Sequence, residues 1–159
     1  MPALGLETHI VDRKVYENSI RRFRDDGIVL PRFPVEFRQV TDGTSKTLMV
    51  AEKFLSPRYY GDTGGGYTSN SCIDNDSVYQ GYDWDVVRWT NRDPFYLPMA
   101  DTDYENNGLI PSCQVRFGSA HSGALQGVYC DGSVHSIDYS IDPIVWEYLG
   151  VRNDGEVTN

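Results

Sequence analysis

Cysteine, long apolar runs and basic residues are scarce in this chain, and each scarcity excludes something. The 159 residues include three cysteines, and none of them belongs to a C-x-x-C metal or redox pair. No stretch approaches the roughly 20 apolar residues that span a bilayer. Lys and Arg number 14 against 23 Asp and Glu, for a net charge of −9. A nucleic-acid partner is therefore excluded, because phosphate binding depends on basic side chains.

The three cysteines leave two pairing alternatives open. Cys72 and Cys113 both lie in loop-like segments, so they are the preferred pair for one disulfide in an oxidising compartment. Cys130 ends a β-prone run and is predicted to pack as a small apolar residue. Three unpaired thiols is the equal alternative, since spacing alone does not define pairing.

Glycine, proline and aromatic residues are what the chain has in quantity, with 15 Gly, 8 Pro and 13% aromatics. Tyr, Trp and Phe suit a half-buried sheet, and Gly and Pro mark turns, so we expect a loop-rich, β-leaning protein. A chain of this length buries about 70% of its unfolded surface, enough for one core. We predict a single α+β domain over 1–159, mostly antiparallel β, in which 1–27 has no firm assignment.

The clearest local signals lie in the last third of the chain. Two β-prone runs flank Asp131-Gly132, which predicts a hairpin with a two-residue type I′ turn. The segment from Asp142 to Gly150 predicts a short C-terminal helix, with Asp142 as N-cap, Pro143 at the first position and Gly150 as a left-handed stop. Its expected apolar face contains Ile144, Val145, Tyr148 and Leu149.

A polar turn over 41–47 precedes the apolar run 48–51. Asp42 and Thr44, on either side of Gly43, are expected to pin this turn through side-chain hydrogen bonds to the backbone. Glu52 ends the apolar run. A buried Glu52 would need a cation or several N–H donors, and the alternative is that it marks the exit of the strand to solvent.

Residues 56–112 form a long excursion rich in Gly, Asp and aromatics, and loops of this length usually carry function or are held by other groups. Strand character is confined to 85–89. We expect an aromatic cluster, with Arg88 stacked or paired to an Asp. The cluster is predicted to contain Tyr79, Tyr82, Trp84 and Trp89.

Candidate chemistry in the chain is limited. Neither a G-x-S-x-G elbow nor a P-loop occurs, and Ser119 lies too close to His121 in sequence for a usual nucleophile and base pair. Alternating oxygen-bearing residues at 101–107 suit Ca²⁺ but lack the EF-hand glycine and terminal Glu. His121 and Asp131 indicate either a structural lock, in which His121 bonds a loop carbonyl and Asp131 pins the turn, or a shared ligand site.

Four ordered blocks resemble the prepilin-type processing-associated HX(9)DG domain family over most of residues 28–156. They are T-D-G-T-S-K-T at 41–47 followed by Glu52, Y-D-W-D-x-x-R-W at 82–89, F-G-S-A-H at 117–121 followed after nine residues by Asp131-Gly132, and the closing stretch 141–156. The motif residues that the resemblance marks as structural are Asp42, Gly43, Thr44, Glu52, Arg88, Trp89, His121, Asp131 and Gly132.

The resemblance implies a non-enzymatic, pilin-like globular head of an exported, cell-surface protein, with protein partners or self-assembly in a filament or secretion system. It also implies a hydrophobic N-terminal helix behind a leader, which this sequence lacks, so we expect a processed piece or a truncated relative. Pilin-like heads often hold a structural Ca²⁺, for which the candidates are Asp101, Asp103 and Asp131. The alternative function is calcium-dependent glycan binding on Tyr82, Trp84 and Trp89.

Overall fold

The computed structural model describes residues 26–30, 34–57, 60, 79, 87–104 and 116–156. Strands and one α-helix share this part of the chain, which confirms the α+β prediction. In chain order the elements are a 3₁₀ helix Phe37–Gln39, β1 (Leu48–Ala51), β2 (Met99–Ala100), a 3₁₀ helix Asp101–Tyr104, β3 (Gly118–Ser119), β4 (Ala124–Tyr129), β5 (Val134–Asp138) and helix α1 (Pro143–Leu149). No helix in these ranges is long and apolar enough to cross a bilayer.

The larger sheet is antiparallel, with the strand order β1-β4-β5. β4 is the central strand, and the β4–β5 register places Leu125 opposite Ile137 and Gly127 opposite His135. The β1–β4 ladder has an irregularity between Leu48 and Val50. β2 and β3 form a separate parallel pair, so the antiparallel prediction holds for the larger sheet only.

A hairpin joins β4 to β5, as predicted, but its turn differs from the predicted type I′. The Gly132 N–H donates to the Tyr129 carbonyl, and the Tyr129 N–H donates to the Ser133 carbonyl. The loop therefore runs over Cys130, Asp131 and Gly132. Gly132 takes a φ of 85°, as in a three-residue hairpin loop whose left-handed residue forms a bulge. The prediction of a two-residue turn was wrong.

Helix α1 packs against one face of the larger sheet. Trp146 is 0% exposed, and its ring meets Phe117 edge-on at a centroid distance of 5.4 Å. The predicted apolar face was partly wrong: Leu149 is buried as predicted, but Ile144 is exposed and the buried Trp146 was not predicted. The buried residues of the core are Leu48, Leu125, Tyr129, Ile137, Trp146 and Leu149.

The ends of α1 show one prediction confirmed and one corrected. Asp142 is the N-cap, and its carboxylate accepts the N–H groups of Ile144 and Val145. Gly150 is the C-cap, but its φ of −90° is not left-handed. Glycine is needed there for space, since a Cβ would lie 1.9 Å from the Thr90 Oγ1.

Two arginines join the irregular segment 87–104 to the rest of the fold. Arg92 forms a forked ion pair with Glu147 of α1, with N–O distances of 2.5 and 3.1 Å. Arg116 is buried and donates to the carbonyls of Leu97 and Pro94. The predicted strand at 85–89 does not extend over its described residues 87–89.

Candidate functional site

The 41–47 turn docks directly on the β4–β5 hairpin. The Asp131 N–H donates to the Thr44 carbonyl at 3.0 Å, and the Cys130 N–H donates to the Thr47 carbonyl at 2.9 Å. The Thr47 hydroxyl donates to the Gly43 carbonyl. In the three-residue hairpin loop, the N–H groups of Cys130 and Asp131 both point at the 41–47 turn. The motif block at 41–47 and the one that ends at Asp131-Gly132 are therefore joined by main-chain hydrogen bonds.

Asp42 accepts hydrogen bonds from the end of the described chain and not from its own turn. Its two carboxylate oxygens accept the N–H groups of Asp154 and Gly155 at 2.8 and 3.0 Å. The N–H groups of Thr41 and Asp42 both donate to the Arg152 carbonyl. The expectation that Asp42 pins its own turn is corrected by these bonds, which hold the stretch 152–155 in place.

Asp131 pins the hairpin turn, as one reading of the sequence predicted. Its Oδ1 accepts the Ser133 N–H at 2.8 Å and the Ser133 hydroxyl at 2.6 Å. These bonds lower the pKa of Asp131 below its ordinary value. The histidine beside it is His135, whose Nε2 lies 2.9 Å from the Ser133 oxygen and whose ring stacks edge-on against Tyr129.

The order of groups at this turn is carboxylate, hydroxyl, imidazole. In a nucleophile triad the imidazole stands between the other two, so that it can take the hydroxyl proton. Here the Ser133 hydroxyl donates its hydrogen bond to Asp131, which leaves the Ser133 oxygen to accept from His135. This arrangement stabilises the turn.

His121 lies near the opposite end of β4, beside Glu52. The Glu52 Oε2 accepts the Gln126 N–H at 2.7 Å, and its Oε1 lies 3.8 Å from the His121 Nε2. Glu52 keeps 38% of its side chain exposed. It therefore lies where the strand reaches solvent and also accepts a main-chain N–H, so the two predicted alternatives are combined. β4 separates His121 from Asp131, which removes the shared-site reading of these two residues.

A buried hydroxyl, and not a carbonyl bond from the His121 ring, organises the loop at 119–124. The Ser119 Oγ donates to the Ala124 carbonyl, accepts the His121 N–H and lies 2.8 Å from the Tyr139 hydroxyl. Tyr139 also donates to the His121 carbonyl. Burial raises the pKa of Tyr139. The prediction that His121 bonds a loop carbonyl is corrected: the His121 N–H donates to the Ser119 hydroxyl, and the His121 carbonyl accepts from Tyr139.

Asp101 is the most enclosed carboxylate near this loop, at 3% exposed. Its oxygens accept the Leu55 N–H at 3.0 Å and the Tyr60 hydroxyl at 2.5 Å. Burial raises the pKa of Asp101, and the two hydrogen bonds oppose that rise. Burial, together with the bond to Asp101, raises the pKa of Tyr60 to about 12.

The predicted calcium ligands do not come together. Asp101 uses both oxygens in hydrogen bonds, whereas Asp131 lies at the hairpin turn at the far end of β4. Within the described ranges, Asp103 included, no three His, Cys, Asp or Glu side chains could hold a metal ion. Calcium binding elsewhere in the chain stays a prediction, which thermal unfolding in Ca²⁺ and in chelator would test.

The middle block is described in part. Arg88 donates to the carbonyls of Arg116 and Val87, and its pairing with an Asp or an aromatic ring stays a prediction. Trp89 is half-buried. Tyr82 and Trp84 lie outside the described residues, so the glycan platform stays a prediction.

A family model of proteins of unknown function (DUF1559) matches residues 12–144. The chain belongs to this family. Neither the curated proteins nor the solved structures contain a match. The DUF1559 match includes Asp42, Glu52, His121 and Asp131, and it ends before the stretch 152–155 that Asp42 binds.

Sequence reasoning missed Tyr60, His135 and Tyr139. A signal for His135 existed, since Ser133 and His135 are two apart and alternate residues of a strand share a face. The partners of Tyr60 and Tyr139 lie 18 to 41 positions away, and no local pattern encodes such contacts. Cys130 is buried and unpaired, as its predicted apolar role requires.

Proposed function

We propose that this chain is a non-enzymatic interaction module, the globular head of a pseudopilin-like protein exported to the cell surface. The observation that carries the proposal is that oxygen atoms of the motif residues accept hydrogen bonds from the main chain of the same protein. Asp42 and Asp131 accept main-chain N–H groups, and Thr44 accepts one through its carbonyl. Groups engaged in this way hold the fold, so the function belongs to the surface of the module.

The non-enzymatic part has its own test. Neither Ser119 nor Ser133 has the geometry of an activated nucleophile, because each is hydrogen-bonded within a turn or loop. We expect a fluorophosphonate probe to leave the folded chain unlabelled, with a known serine hydrolase as positive control. Labelling mapped to either serine would contradict the proposal.

The surface location is tested in cells of the organism that encodes the protein. An epitope tag on the full-length protein should be digested when intact cells are treated with protease, and the tag should sediment with sheared surface filaments. A cytoplasmic enzyme in the same cells controls for lysis. Protection of the tag until the cells are broken would refute export and surface assembly.

A further inference from the structure

β5 is an outer strand of the sheet with one neighbour. It pairs with β4, and across the described ranges no other segment pairs with its second side. At the opposite edge β1 also pairs with one strand, and the chain directly after β1 bonds to the segment 116–118: the Glu52 carbonyl accepts the Gly118 N–H, and the Phe54 N–H donates to the Arg116 carbonyl. An open edge is a template for another strand, and β5 is the edge of this sheet that lines a cleft.

The main-chain groups that face this open side can be assigned from the ladder. The Tyr129 N–H bonds to Ser133, and the Tyr139 N–H bonds to Gly123, so odd-numbered residues of β5 bond to β4. Antiparallel ladders alternate. Val134, Ser136 and Asp138 therefore direct their N–H and C=O groups away from β4, and all three are exposed. Such groups are satisfied by an extended backbone.

A cleft of about 390 Å³ lies beside β5, between this strand and α1. Apolar side chains form part of its lining, among them Ile137, Val145 and Leu149. Alternate side chains of a strand point to opposite faces, so every second residue of an added strand would project toward the cleft. An apolar side chain of the added strand would match the apolar part of the cleft lining.

Charge defines the ends of the added strand. Asp131 and Asp138 bracket β5, and each uses its Oδ1 to accept from the serine two residues later. In the described part of the chain their Oδ2 atoms have no hydrogen-bond partner. Lys46 is the one lysine or arginine among the described residues that line the cleft, and the whole chain carries −9. Basic residues of a partner therefore belong at the two ends, and a second copy of this acidic chain is disfavoured.

We propose that the groove between β5 and α1 binds an extended segment of another protein by strand addition to β5. The segment carries a basic residue near each end and an apolar residue that enters the cleft. This inference goes beyond the proposed function, because it holds wherever the protein is located.

The probe is a blocked peptide of seven residues with a lysine at each end and alternating valine and threonine between them. A strand advances about 3.4 Å per residue, so the lysines lie roughly 20 Å apart, enough to reach both Asp131 and Asp138. Titration into the ¹⁵N-labelled full chain should give saturable shifts of the Val134, Ser136 and Asp138 amides. A peptide with glutamates in place of the lysines should bind at least tenfold more weakly.

Ser136→Pro blocks the edge without touching the β4 ladder, because the N–H of residue 136 points outward. Ser136→Ala is the matched control: both variants lose the hydroxyl that accepts from Gln126, and only proline loses the N–H. We expect Ser136→Ala to bind like the wild type and Ser136→Pro at least tenfold more weakly. Equal binding by the two variants overturns the proposal.

Two further results decide the case if Ser136→Pro does not fold. A peptide N-methylated at the alternate positions that face β5 should lose binding to the wild-type chain, and unchanged binding overturns the proposal. Sedimentation of the chain alone tests the other occupant. A dimer present without peptide that Ser136→Ala keeps and Ser136→Pro abolishes would show that β5 pairs with a second copy, which also overturns it.

Discussion

At the scale of single residues, the aspartates of this chain differ in where their donors come from. Asp42 accepts N–H groups from residues more than 110 positions away, whereas Asp131 and Asp138 accept from residues two positions on. Asp101 is buried, and its pKa is raised by that burial. The pKa of Asp131 and of Asp138 is lowered by hydrogen bonds to serine. The same side chain therefore stabilises the fold in different pH ranges.

Replacing Asp42 tests its long-range bonds. Asp42→Ala leaves the Asp154 and Gly155 N–H groups without their acceptor and should lower the free energy of unfolding by about 1.5 to 3 kcal/mol, the range for hydrogen bonds to charged groups. Urea unfolding measures it. Glu156→Ala is the control, since it removes an exposed carboxylate next to the same stretch. Equal effects of the two substitutions would contradict the assignment.

The pH dependence of stability separates Asp131 from Asp101. The folded pKa of Asp131 lies below the ordinary 3.8, so the stability of the wild type relative to Asp131→Asn is fully present above about pH 4 and is lost as pH falls below it. For Asp101 the folded pKa is raised. The stability of the wild type relative to Asp101→Asn should therefore fall as pH rises above about 4.

Denaturant unfolding of the three proteins between pH 2.5 and about 7 measures both slopes. Each variant serves as the control for the other, because the two slopes have opposite signs. Parallel pH profiles for wild type and both variants would show that neither carboxyl changes its pKa on folding.

At the scale of elements, the end of α1 is defined by a contact and not by a backbone conformation. The Thr90 hydroxyl donates to the Glu147 carbonyl at 3.1 Å, so Thr90 adds a second donor to a carbonyl that also accepts the Gly150 N–H. The space that Thr90 occupies is available because residue 150 is glycine. Thr90 therefore joins the helix to the 87–104 segment in addition to the Arg92 ion pair and to the hydrogen bond from the Trp146 Nε1–H to the Tyr96 carbonyl.

Gly150→Ala should destabilise the fold through overlap with Thr90. The new Cβ would lie 1.9 Å from the Thr90 Oγ1, and overpacking of this kind costs about 1 to 3 kcal/mol. Thermal and urea unfolding measure the loss. Gly123→Ala is the control, since no atom lies within 4 Å of its added Cβ. A loss of similar size in both variants would argue against the contact.

At the scale of the whole molecule, the stretch 152–155 ties together segments that are distant in sequence. Arg152 donates its N–H to the Asp26 carbonyl and a guanidinium N–H to Gly27. Its carbonyl accepts from Thr41 and Asp42. The described start and end of the chain therefore meet at the 41–47 turn, next to the hairpin.

Removal of residues 152–159 should cost more stability than Asp42→Ala. The truncation deletes four bonds of Arg152 and both bonds of Asp42, a loss of about 3 to 6 kcal/mol at a net value near 1 kcal/mol per bond. Calorimetry or urea unfolding measures it. A truncation of 157–159 alone leaves all these bonds in place and serves as the control. A loss no larger than that of Asp42→Ala would contradict the role of Arg152.

The elements that local chemistry specifies were the ones predicted from sequence. The start of α1 is specified by the adjacent residues Asp142 and Pro143, and the hairpin is specified by Asp131-Gly132 and the β-prone runs beside it. Details that involve distant neighbours were wrong. The hairpin loop has three residues, and its Asp131 N–H bonds to the Thr44 carbonyl. Gly150 is needed because Thr90 occupies the space of a side chain there. The sequence predicted which residues belong to the candidate site but not which of them contact each other.

The sequence by itself determined the fold class, the hairpin, the helix N-cap and the acidic character of this DUF1559 chain, because each depends on side chains close together or on composition. Tertiary structure alone decided that Asp42 binds Gly155, that Glu52 faces His121, and that β5 keeps an open edge beside a cleft. These pairings join residues up to 113 positions apart. Their energies arise only when the sheet brings those residues together, so no local pattern records them.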